Sequence, residues 1–240
     1  MTEDRASLAY LQRKINRAKP PYHEESSSGV NFAEPIQGQV LDFKEPGEIS
    51  VTNGETIINL GYSIDPVDKD SRYLNKYSIS SVTGNSVSLE ELLPEGWSVV
   101  FVPTGQKEAI THHGLKAIIV TGMQPTSPEF ALSLLHEVSH AREDDPQLLD
   151  RESIRSRINS LKDINGSEGA QIIRSERNAW AFAIKKIKPF IDFRPDSQSA
   201  FSWVNVRREV RNSIGTYSGP VKLLLMKQLR VLEPQEARAA

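Results

Sequence analysis

The segment ALSLLHEVSHARE carries two histidines four residues apart, with a glutamate directly after the first: His136, Glu137 and His140. On a helix, a spacing of four brings both imidazoles to one face, one turn apart, where they can hold the same ion. Glu137 then points to the adjoining edge, within reach of a water on that ion, as a general base. Projected at about 100° per residue, Phe130, Ala131, Leu134, Leu135, Val138 and Ala141 form one apolar arc. His136 and His140 fall on the opposite side, and Glu137 falls at the margin. Structural core histidines would belong inside the arc. A solvated pair and a ligand pair both fit outside it.

A second segment supplies what two histidines lack. In AQIIRSERNAWAFAIKKIK the residues Ile172, Ile173, Ala179, Trp180, Ala183, Ile184 and Ile187 make one apolar stripe, and Glu176 lies in its middle. A carboxylate there is costly unless it is neutralised, paired or bound to metal. Zinc on two neutral histidines takes a third protein ligand, and glutamate is a standard choice. Ala179 and Ala183 would let this helix approach its neighbour closely. The competing reading is an ion pair to Arg174 or Arg177, both of which project away from Glu176. The expectation is a zinc ion held by His136, His140 and Glu176, with another divalent ion as the open alternative.

HEVSHARE followed by SERNAWAFA resembles the zincin metallopeptidases of the glutamate-liganded gluzincin type. The nearest likeness is to small bacterial ImmA/IrrE-like metallopeptidases, which pair an HExxH helix with a downstream ExxA-type helix. The likeness covers about residues 115–188, with Ser139 where those relatives often carry glycine. It implies a zincin-like α+β fold, a small sheet packed on the helix with the histidines, and zinc-dependent hydrolysis of peptide bonds in a protein or peptide substrate. It also implies an edge strand that holds an extended peptide by β-augmentation, and LKAIIVTG, residues 115–122, stands in the place for it. By the same likeness Tyr217, in GTYSGP, could polarise the scissile carbonyl oxygen; an ordinary turn tyrosine is the plainer reading. The alternative function is a regulatory protein-interaction module on the same scaffold, with restricted or no proteolysis. The intact Glu137 speaks against a site that only binds, since binding needs no base. His112 and His113 are weaker ligand candidates, because neighbours on a strand or turn point to opposite sides.

The elements that must position these groups follow from the rest of the pattern. Ser127 suits an N-cap, Pro128 the first helical position and Glu129 the positive end of the helix dipole. Helices are expected at about 128–144, 150–162, 168–188, 199–213 and 220–232. Before them, residues 40–122 read as β. Ile49 and Val51, then Asn53-Gly54, then Ile57, Ile58 and Leu60 predict a hairpin. A second hairpin pairs the run around Ile79 and Val82 with Val87 and Leu89, across Thr83-Gly84-Asn85. WSVVFVP and LKAIIVTG read as buried strands. Leu8, Leu11 and Ile15 suggest a short helix that ends at Pro20-Pro21, followed by a polar linker, EESSSG. The organisation expected is a helix and mobile linker over 1–28, a β-rich region of unassigned role over 29–110 and a metal-binding region over 111–240. The last two could form one continuous domain.

The 240 residues carry 29 basic and 31 acidic side chains, a net charge of −2 with histidine neutral. That balance gives no general attraction for nucleic acid or an anionic membrane. At 38% hydrophobic and 25% charged, the chain has an ordinary globular composition. The absence of cysteine removes disulfides, thiolate ligands and cysteine nucleophiles, and fits a reducing compartment. With no apolar run near the first residues and none long enough to span a bilayer, a cytoplasmic location is expected. No phosphate-binding glycine loop and no G-x-S-x-G elbow occurs.

Overall fold

A computed structural model describes residues 31–33, 43–53, 55–66, 68–143, 167–194, 197 and 199–215, with side chains for all of these except 31–33, 53, 167–173 and 215. The expected helices at the N-terminus, 150–162 and 220–232, the EESSSG linker and Tyr217 lie outside the described residues.

The architecture mixes α and β. Strands come first: β1 (Asn31–Ala33), β2 (Gly47–Asn53), β3 (Thr56–Ile64), β4 (Arg72–Ser81), β5 (Ser86–Ser88), β6 (Ser98–Val102), β7 (Glu108–His112) and β8 (Ala117–Thr121). A short helix α1 (Leu89–Leu92) interrupts them, and α2 (Pro128–Ala141), α3 (Ser167–Ile187) and α4 (Trp203–Gly215) follow. The strands form one mixed sheet in the order β1-β2-β3-β4-β6-β8-β7, with β5 paired to β4.

The first hairpin forms as its alternation demands: β2 and β3 are antiparallel, with Ile49 opposite Leu60 and Asn53 opposite Thr56. The second is shorter than expected. Ile79 does face Val87, but Val82 lies beyond β4 and is exposed, and Leu89 begins α1.

A larger correction concerns the edge of the sheet. LKAIIVTG contains β8, which runs parallel to β6 on one side and antiparallel to β7 on the other. It is an interior strand, and its first four residues are buried. An unbroken apolar run such as Ala-Ile-Ile-Val belongs to a strand covered on both faces. The edge of the described sheet on this side is β7, whose residues are less buried.

Helix α2 starts as its sequence directs. Ser127 Oγ accepts the Phe130 N–H at 3.1 Å, and Pro128 occupies the first turn. Phe130 then enters an aromatic cluster on the sheet, edge-on to Phe101 at 6.0 Å, with Phe43 and Tyr62 continuing it. Edge-to-face packing of this kind adds about 0.5–1.5 kcal/mol per pair to the area buried. The helix lies against β7 and β8, α3 and α4. Ala179 and Ala183 on α3 are wholly buried. Two small residues one turn apart let α3 approach α2 closely. Gly122, just after β8, has φ +65, and a Cβ there would meet Gly105 O at 2.6 Å. That close approach fixes the turn that feeds β7.

Candidate metal centre

The expected ligand groups come together. His136 Nε2 lies 3.0 Å from His140 Nε2 and 3.1 Å from Glu176 Oε2, and His140 Nε2 lies 3.6 Å from the same oxygen. Among the described residues this is the one group of three such side chains with converging ligand atoms. The two histidines come from one face of α2 and the glutamate from the middle of the buried stripe of α3. Ala179, Trp180, Ala183, Ile184 and Ile187 of that stripe are all buried.

The helix projection left open whether the histidines face solvent. They do not: His136 is 5% and His140 2% exposed, because α3 covers the side of α2 that the sheet leaves free. Burial alone would lower the pKa of His140, but the Glu176 charge and contacts to Glu143 outweigh it and raise the value to about 9. For Glu176, burial works upward, yet His140 and His136 hold its carboxyl well below the ordinary carboxylate range.

Glu137 is buried next to His136 in the chain, and its charge also reaches His140. The hydroxyl of Thr111, on β7, lies 2.7 Å from Glu137 Oε2 and 2.9 Å from Glu137 O. Thr111 was not among the residues singled out from sequence. A lone threonine in GQKEAITHHG carries no signal until β7 is known to lie along α2.

The same strand forms one edge of the described sheet. Ser98 N–H donates to Lys116 O, and Gly122 N–H to Val102 O. In a parallel pair this commits the main-chain groups of Ile118 and Val120 to β6. Ala117, Ile119 and Thr121 therefore serve β7, through His112, Ile110 and Glu108. The main-chain groups of Ala109 and Thr111 are left facing the edge of the described sheet.

Three further residues surround the group of His136, His140 and Glu176. The Trp180 ring packs on His136 at 4.3 Å between centroids. Trp180 is thus core, as its place in the stripe implies, and also touches a ligand candidate; Trp203 is core, against Phe193. Ser175 and Glu143 stand behind His140, with Ser175 Oγ 3.4 Å from Nδ1. The helix expected to run to about 144 ends sooner. Helix α2 stops at Ala141, and the chain turns Glu143 back toward His140.

His112 and His113 stay out of the group. His112 Nδ1 accepts the Leu115 N–H at 3.3 Å, and His113 packs edge-on against Trp97 at 5.3 Å. Both are part-buried structural residues.

The chain has no significant match among protein-family models, curated proteins or solved structures. No helix among the described residues is long and apolar enough to cross a membrane.

Proposed function

We propose that this chain is a zinc-dependent metallopeptidase of the glutamate-liganded zincin type, with His136, His140 and Glu176 as metal ligands and Glu137 as general base. The observation that carries the reading is the triangle of ligand atoms, with sides of 3.0, 3.1 and 3.6 Å. Ligand bonds of about 2.0–2.1 Å in a tetrahedral zinc site set neighbouring donors roughly 3.3–3.4 Å apart. Two imidazoles and one carboxylate are a donor set suited to a catalytic zinc, which keeps a fourth position open. Zinc bound there supplies Lewis acidity, polarising a carbonyl and acidifying a water.

The chain's own residues do the rest. The Glu137 carboxylate takes a proton from the attacking water and returns it to the leaving amine. Thr111 holds that carboxylate through its hydroxyl. The outward main-chain groups of Ala109 and Thr111 offer an extended peptide a strand to pair with. An antiparallel edge strand beside the histidine-bearing helix is also what a zincin-like fold requires. Burial of His136, Glu137, His140 and Glu176 favours few substrates over broad digestion. The same burial supports the second reading, a regulatory interaction module with restricted or no proteolysis.

The test is incubation of the zinc-loaded chain with a defined peptide mixture, followed by mass spectrometry, beside a Glu137→Gln control. New termini that require Glu137 support a peptidase. Zinc uptake without any cleavage, in peptides or in candidate partner proteins, favours the interaction module.

A further inference from the structure

Behind His140 two polar groups form a chain with a direction. Ser175 Oγ lies 2.8 Å from each carboxylate oxygen of Glu143 and 3.4 Å from His140 Nδ1. Glu143 Oε1 itself is 3.7 Å from Nδ1, beyond hydrogen-bond range. The acid reaches the ring through the serine. Local backbone makes this possible: Arg142 keeps a helical conformation, and the Glu143 N–H donates to His140 O at 3.1 Å. Ser175 precedes Glu176 on α3, so the helix that brings the third ligand also brings the support for the second.

The roles in the chain follow from donors and acceptors. An ionised carboxylate only accepts. With both oxygens in contact, Glu143 accepts the Ser175 hydroxyl hydrogen bond, which leaves the lone pairs of Ser175 Oγ for His140 Nδ1. That arrangement calls for an N–H at Nδ1 and leaves the lone pair on Nε2, the atom facing His136 and Glu176. His136 has no such support among the described residues: its Nδ1 is buried there without a hydrogen-bond partner, beneath the Trp180 ring. Two histidines on one helix are therefore held in unequal ways.

We propose that Ser175 and Glu143 form a hydroxyl–carboxylate relay that orients His140 for metal binding, an inference that rests on the metal-site reading above. Ser175 is the positioning residue, and Glu143 acts through it. Outer partners of ligating histidines commonly change metal affinity by about 10–100-fold.

The test is zinc affinity of the full chain, read by competition with a chromogenic chelator, for wild type, Ser175→Ala, Glu143→Gln and the double variant. Thermal midpoints of the metal-free proteins check that each folds. Each single substitution should weaken zinc about 10–100-fold. The double variant should be little weaker than the weaker single, because the hydrogen-bonded path from Glu143 to the ring runs through the serine. Single variants that bind as tightly as wild type, or effects that multiply, overturn the relay and leave the metal site standing. A wild-type chain that takes up no zinc overturns both.

Discussion

Thr111 and Glu137 meet at two atoms: one hydroxyl on the edge strand lies 2.7 Å from the carboxylate and 2.9 Å from the main-chain oxygen of the same residue. Thr111 also turns its own main-chain groups to the edge of the described sheet. One residue thus links the proposed seat of the peptide to the proposed base. Thr111→Val keeps the shape and loses the hydroxyl. It should lower kcat by about tenfold or more, with KM and zinc affinity little changed, while Thr111→Ser stays near wild type. Steady-state kinetics on a cleaved peptide, with zinc titration alongside, measure this. Equal kcat in wild type and Thr111→Val would show that the contact does not serve the base.

Glu137→Gln separates chemistry from architecture. The amide keeps size and the Thr111 contact but cannot serve as the base. Hydrolysis should fall by at least about 100-fold, while zinc content and thermal midpoint stay close to wild type. Full cleavage by this variant would place the base elsewhere.

The grouping of His136, His140 and Glu176 was legible because each residue broke a local rule. Two histidines stood outside an apolar arc at the spacing of one turn, and a carboxylate stood inside an apolar stripe. The start of α2 was legible in Ser127 and Pro128, and the first hairpin in its alternation around Asn53-Gly54. Thr111, Ser175 and Glu143 were not legible. Their roles depend on which strand lies beside α2 and on how α2 ends, and both are long-range outcomes. The misplaced edge strand has the same origin: β8 reads as a strand from its own residues, but only its neighbours decide that it is interior.

Metal-free protein should show a pH dependence with a definite sign. The folded pKa of His140 is raised from 6.5 to about 9, so its contribution to stability is complete below 6.5 and is lost as pH rises through about 9. Glu176, with its pKa lowered, contributes above its unfolded value near 4.5 and loses that contribution as pH falls through the depressed value. The thermal midpoint should therefore drop between pH 6.5 and 9, and Glu176→Gln should flatten that drop. The His140 proton must also leave when a metal binds, so zinc affinity should rise across the same interval. A wild-type midpoint that is constant across it would contradict the pairing of His140 with Glu176.

Close contact between α2 and α3 is what brings Glu176 to the histidines. Ala183 is wholly buried on the shared face. Ala183→Leu should cost about 1–3 kcal/mol through overpacking, and it should weaken zinc as well by separating the helices. Denaturant unfolding and zinc competition on the same samples test both parts. A stable variant with unchanged zinc affinity would mean that the two helices have room to spare.

The most direct measurement is metal content by elemental analysis of the chain purified without added metal and then titrated with zinc, beside His140→Ala and Glu176→Ala. The account predicts one zinc per wild-type chain, with strong loss of binding in both variants. No stoichiometric uptake by the wild type, or full retention by Glu176→Ala, would contradict it.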